Sequence, residues 1–122
     1  MSSKILSAAV VGLDAELVEV EADILNNPLG AFSIVGLPDA AVSESRERVR
    51  SAIKNSGLYF PKRKVTVNLA PADLRKQGPS YDLPIAISIL ATTQKINCQD
   101  FSNFLFVGEL ALNGELRAIN GI

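Results

Sequence analysis

The sequence predicts an α/β (α+β) two-layer sandwich, a mixed sheet carrying two helices, with elements in the order β-β-β-α-β-α-β-β. Three observations carry that expectation. The run ELVEVEADIL (16–25) alternates, with Val18, Val20, Ala22 and Ile24 on one face and Glu19, Glu21 and Asp23 on the other, as a strand buried on one side requires. The stretch from Ala40 to Ser56 places Val42, Val49, Ala52 and Ile53 at helical spacing. The unbroken run 65–90, VTVNLAPADLRKQGPSYDLPIAISIL, passes from a strand through a polar loop into a helix apolar on every side.

The elements follow in order. KILSAAVVG (4–12) is the first strand, turned by GLDA into the alternating second. Asn26, Asn27, Pro28, Leu29 and Gly30 form a turn cluster, and AFSIVG (31–36) is a short third strand. Asp39 is placed to cap the first helix and Gly57 to end it. KVTVNLA (64–70) follows a Phe60-Pro61 corner. After the loop, Asp82 is placed to cap the second helix, whose first turn tolerates Pro84. Leu83, Ile85, Ala86, Ile87, Ile89 and Leu90 leave that helix no polar face for two turns, so it must be buried. In FLFVGELALNGELRAI (104–119), Asn113-Gly114 between alternating apolar residues signals a hairpin. The chain reaches Asn120-Gly121-Ile122 just after that hairpin and is read as the C-terminally truncated piece of a longer protein.

Composition narrows the function classes. The 122 residues are 48% apolar and 20% charged, enough for one domain spanning 1–122 with a packed core. A net charge of -1 argues against a domain built mainly to hold nucleic acid, while leaving room for a local basic patch. No apolar run approaches a membrane span and the N-terminus lacks signal-peptide character, so the expectation is a soluble, cytoplasmic chain with no membrane partner. The absence of histidine excludes Ser-His-Asp and Cys-His catalysis and imidazole-based zinc sites. The single cysteine, Cys98, reads as a structural or surface thiol. Glu19, Glu21 and Asp23 read as a solvated strand face, and no metal or cofactor is expected in this chain.

Two groups stand out as contact residues. Arg46, Arg50 and Lys54 fall at i, i+4 and i+8 on one helix face, with Lys62, Arg63 and Lys64 just beyond. They are positioned for phosphates or a neighbouring subunit, against a plainer alternative of a solvated face offset by Glu44 and Glu47. In the loop, Asp73 suits an Asx turn, while Arg75 and Lys76 are expected to reach solvent or a partner. One glycine is too few for a phosphate cradle, so a conformational or docking loop is the better reading.

The stretches VGLDAELVEVEAD, FSIVGLPDAAVSESRERVRSAIKNSG, FPKRKVTVNLAPADLRKQG, YDLPIAISIL and FVGELALNGELR resemble the N-terminal domain of the magnesium-chelatase-like AAA+ ATPases, the YifB/ComM competence-protein family. The resemblance implies a fold like the proteolytic domain of Lon protease and domain 2 of ribosomal protein S-five. It also implies a parent chain that continues past residue 122 into an ATPase module using ATP and Mg, assembles as a hexamer and drives DNA branch migration in natural transformation. No G-x-x-x-x-G-K-[ST] loop lies in these residues, so this fragment is expected not to bind or hydrolyse ATP and not to be an enzyme.

The same resemblance raises a Ser-Lys peptidase as an alternative. Gly78-Pro79-Ser80 matches the segment in which Lon-type enzymes carry their nucleophile. Tyr81-Asp82 departs from the small residues that follow in those enzymes, and the base lysine would lie beyond Ile122. Ser80 is therefore expected to serve the loop and helix entrance rather than catalysis. A pure oligomerisation scaffold is the third reading.

Overall fold

The computed structural model describes residues 2–11, 14–27, 29–72, 76, 79–93, 101 and 103–119. Strands β1 (Ser2–Val11) and β2 (Asp14–Leu25) are followed by β3 (Ala31–Val35), helix α1 (Asp39–Asn55) and β4 (Lys64–Ala70). A short 3₁₀ turn (Pro79–Tyr81) leads into α2 (Asp82–Thr93), and β5 (Glu109–Leu110) and β6 (Leu116–Arg117) complete the described elements. The first four strands form one mixed sheet in the order β1-β2-β4-β3. β2 pairs antiparallel with β1 and β4, while β3 runs parallel to β4 after the α1 crossover.

Side-chain alternation decides which face of the sheet is covered. Val18, Val20 and Ala22 of β2 and Val65, Val67 and Leu69 of β4 are fully buried, and with Phe32 and Ile34 of β3 they meet both helices in one apolar cluster. α2 lies over β1 and β2, α1 lies over β3, and the helices touch each other. The opposite sheet face keeps Glu21 exposed and Glu19, Asp23, Thr66 and Asn68 half-buried. Lys4 reaches diagonally across that face to Glu19, Nζ to Oε2 at 3.5 Å. These acids thus line a solvated sheet surface, and among the described residues no group of His, Cys, Asp or Glu is placed to hold a metal ion.

The β1–α2 contact is a seam of small hydroxyls. Ser3 Oγ donates to the Ser88 carbonyl at 2.6 Å and lies 2.8 Å from Thr92 Oγ1, which acts as donor to it. Ser7, on the same face of β1, is fully buried, and its Oγ has no hydrogen-bond partner. Small side chains here let α2, with Ser88 and Thr92 turned to the seam, settle close against the strand.

Helix ends depart in detail from the sequence expectation. Pro38 occupies the cap position of α1 with no side-chain cap bond, and Asp39 is the first helical residue. Its carboxylate sits in the first turn, where negative charge suits the helix dipole. The C-terminus does close on Gly57: Leu58 N–H donates to the Ile53 carbonyl at 3.2 Å and Gly57 N–H to that of Lys54 at 3.1 Å, the paired bonds of a Schellman motif. No helix of the described residues is long and apolar enough to cross a membrane.

The last hairpin is shorter than the alternating run suggested. Its strands pair only through Glu109–Arg117 and Leu110–Leu116. Leu105 instead bridges Leu6 in parallel, and Phe106 N–H donates to the Leu6 carbonyl at 2.9 Å, so this segment lines the free edge of β1. The turn also differs from a two-residue Asn-Gly turn. Gly114 N–H closes onto the Ala111 carbonyl at 2.9 Å, making Leu112 and Asn113 the central residues. Gly114, at φ 95°, then supplies the left-handed position of a three-residue hairpin loop.

Candidate functional site

The entrance to α2 is the most elaborately held part of the described structure. It begins with two polar residues on apolar elements. Ser45 lies on the buried stripe of α1 with Val49, Ala52 and Ile53. Asp82 opens a helix whose next turns are apolar, and it is 0% exposed. A carboxylate removed from water this completely must be paired and hydrogen-bonded.

Asp82 is satisfied from three directions. Ser45 Oγ donates to Oδ1 at 2.7 Å. Arg48 forms a fork, with Nε donating to Oδ2 at 2.6 Å and Nη2 to Oδ1 at 3.2 Å, the planar geometry that guanidinium and carboxylate share. The backbone N–H of Leu110 donates to Oδ2 at 3.2 Å. Asp82 therefore joins α1, α2 and β5. Its side chain was expected as a local helix cap and is instead a tertiary ligand, because the α1 cation and the β5 amide converge on it. The hydrogen bond to Asp82 is the main cause that raises the Arg48 pKa above its ordinary value, ahead of the opposing effect of burial. Glu44 adds a longer contact, 3.8 Å from Arg48 Nη1.

Backbone bonds complete the node. Gly108 N–H donates to the Ser80 carbonyl at 2.8 Å, and Leu83 N–H donates to the Gly108 carbonyl at 3.0 Å. A Cβ on Gly108 would press on Leu116 and Leu83 side chains at 3.3 and 3.4 Å. Ser80 is half-buried in the 3₁₀ turn, and Tyr81 beside it is buried, which pushes its phenol pKa upward. The hairpin loop is tied down separately, by Asn55 Nδ2 donating to the Leu112 carbonyl at 2.8 Å.

The other sequence-marked residues divide. Arg46 Nη1 donates to the Phe32 carbonyl at 3.1 Å, covering part of the β3 edge. The Arg50 guanidinium lies 5.7 Å from the Phe32 ring centre and 5.6 Å from that of Phe60, rings themselves 5.3 Å apart. Lys54, Lys62 and Arg63 are exposed and Lys64 is half-buried at the start of β4. The stripe is thus anchored at Arg46 and Arg50 and open beyond.

In the loop, Lys76 corrects the expectation that it reaches outward. It is 2% exposed, and its Nζ donates to the Pro71 carbonyl at 2.5 Å. The ammonium thus serves a backbone acceptor just past β4. Asp73, Arg75, Gly78 and Cys98 lie outside the described residues. Near the same strand ends, an open depression of about 240 Å³ is lined by Leu17, Glu19, Ala70 and Pro71.

Sequence reasoning missed Ser45 and Arg48 as partners of Asp82. Two signals pointed to them: a serine at a core phase of α1, and a lone carboxylate opening an otherwise apolar helix. Each demands a buried polar partner.

A family profile described as Subunit ChlI of Mg-chelatase matches residues 18–122. The chain belongs to this magnesium-chelatase-like family. Among its relatives, the competence protein ComM of Haemophilus influenzae is 46% identical over 118 residues, 97% of this chain and 23% of that protein. The proteins named YifB of Salmonella typhimurium and Escherichia coli are each 48% identical over 113 residues, 93% of this chain and 22% of theirs. The chain spans less than a quarter of the length of these relatives.

Proposed function

We propose that this chain is a non-catalytic, Lon-like module of a competence-related AAA+ protein. It supports hexamer assembly or DNA engagement by an ATPase module elsewhere in the full-length protein, in the cytoplasm. ATP and Mg are used by that module, and the module drives DNA branch migration. The kinship with ComM supports the competence link.

The observation that carries the non-catalytic part is the commitment of the α2 entrance to structure. Asp82 is fully buried with four hydrogen bonds, and the Ser80 carbonyl is paired to Gly108. A nucleophile needs an adjacent base and room for substrate. Here the Asp82 carboxylate and the Ser80 carbonyl are instead spent on tying α1, α2 and the segment into β5 together.

The test is deletion. Full-length protein lacking residues 1–122 is expected to retain ATP turnover but lose stable hexamers or migration of branched DNA. Unchanged assembly and unchanged branch migration would overturn the proposal.

A further inference from the structure

We infer that the corner formed by the C-terminal half of α1 and the segment into β4 is a binding site for single-stranded nucleic acid, with Tyr59 as a base-stacking platform. The inference rests on the DNA reading above and names the strand class and the residues.

Charge is the first observation. Arg46, Arg50, Lys54, Lys62, Arg63 and Lys64 are six of the chain's twelve Lys and Arg residues. Lys4 and Arg48 have carboxylate partners. Among the described residues, no carboxylate lies within ion-pair distance of any of the six. Arg46 is held by a carbonyl and Arg50 by two ring faces, neither of which neutralises a cation. In a chain of net charge -1, five of these six are thus uncompensated along α1 and the segment that follows it, while Lys64 falls by alternation on the sheet face opposite the helices.

The second observation is aromatic. Tyr59 is 56% exposed, between the end of α1 and the cations that follow Pro61. Neighbouring Phe60 is turned inward onto Phe32 and under Arg50. The two adjacent rings have opposite fates, one used for packing and one presented to solvent. The Schellman turn at Ser56–Leu58 and buried Pro61 fix both ends of the segment. An exposed ring close in sequence to cations without carboxylate partners suits unpaired bases stacked on the ring with phosphates on the cations. A duplex keeps its base faces covered and would engage only the charges.

The test uses fluorescence anisotropy of a labelled oligothymidylate about 15 nucleotides long, with the 122-residue chain. With Lys54, Lys62 and Arg63 in contact, log K should fall with log salt at a slope of about −2. K62A/R63A should reduce that slope by about 1.4. Tyr59→Ala should weaken binding roughly 5- to 100-fold with little change in slope, and Tyr59→Phe should restore it. Thermal melts of each variant establish that the fold is intact. Equal affinity for a duplex of the same length, or no effect of Tyr59→Ala in a folded variant, overturns the assignment. Failure of this chain to bind any oligonucleotide, while full-length protein still binds DNA, overturns the site but not the proposed function. Failure of full-length protein to bind DNA overturns DNA engagement itself.

Discussion

Arg48 and Asp82, 34 residues apart in sequence, meet with Nε 2.6 Å from Oδ2 where α1 packs against the start of α2. Only the arginine side chain keeps some exposure, at 22%, while the aspartate has none. The pair, with Ser45 and the Leu110 amide, fixes how the helical layer meets the last hairpin.

Removing Arg48 should be costly, because the fully buried Asp82 carboxylate then loses its counter-charge. Arg48→Met is expected to destabilise by about 3 kcal/mol, and Asp82→Asn by less, since Arg48 can reach solvent. The double variant should cost less than the sum. A urea-unfolding cycle reads the coupling directly, and strict additivity would show that the two residues act independently.

The hydroxyl seam gives a prediction of opposite sign. Ser7 Oγ is buried without a partner, so Ser7→Ala should stabilise by about 1 kcal/mol. Ser3 bonds to both Ser88 and Thr92, and Ser3→Ala should destabilise by a similar amount. Chemical denaturation midpoints of the two variants should move in opposite directions.

Gly36 stands at φ 104° directly against the backbone of β4, where a Cβ would collide with the Leu69 carbonyl. Neither the dihedral nor the neighbour can yield cheaply, since Leu69 sits in the sheet interior. Gly36→Ala should cost about 2 kcal/mol or more. A melt within a degree of the parent would show that the β3 end has slack.

Much of the fold could be read from the chain, for identifiable reasons. α1 announced itself by its period and by Gly57, and β2 by strict alternation, because each buries a single face against one layer. The 104–119 run misled because its apolar residues serve three partners: the β1 edge at Leu6, the α2 entrance at Ser80 and Leu83, and the short hairpin. Of the site, the sequence marked Ser80 and Asp82 but not their environment. Arg48 falls off the face shared by Arg46, Arg50 and Lys54 and nothing local marks it for a buried partner, and Lys76 looked like a loop cation. Arg48 turns inward because a carboxylate arrives from 34 residues away, and no local pattern encodes that arrival.

Tyr81 links stability to alkaline pH. Burial raises its folded-state pKa, so the unfolded phenol, near 10, ionises first. The associated stability is present in full below about pH 10 and declines as pH rises through the folded value. Tyr81→Phe should flatten that decline in a pH series of thermal melts. An equal decline in both proteins would assign it to other groups.

The central claim, that the α2 entrance is a structural joint and not a catalytic centre, is tested most directly by branch migration in full-length protein carrying Ser80→Ala beside Asp82→Asn. The account predicts that Ser80→Ala leaves the rate and the melting temperature at parent values, while Asp82→Asn lowers the melting temperature and the yield of active assembly together. A stable Ser80→Ala protein that has lost activity would contradict it.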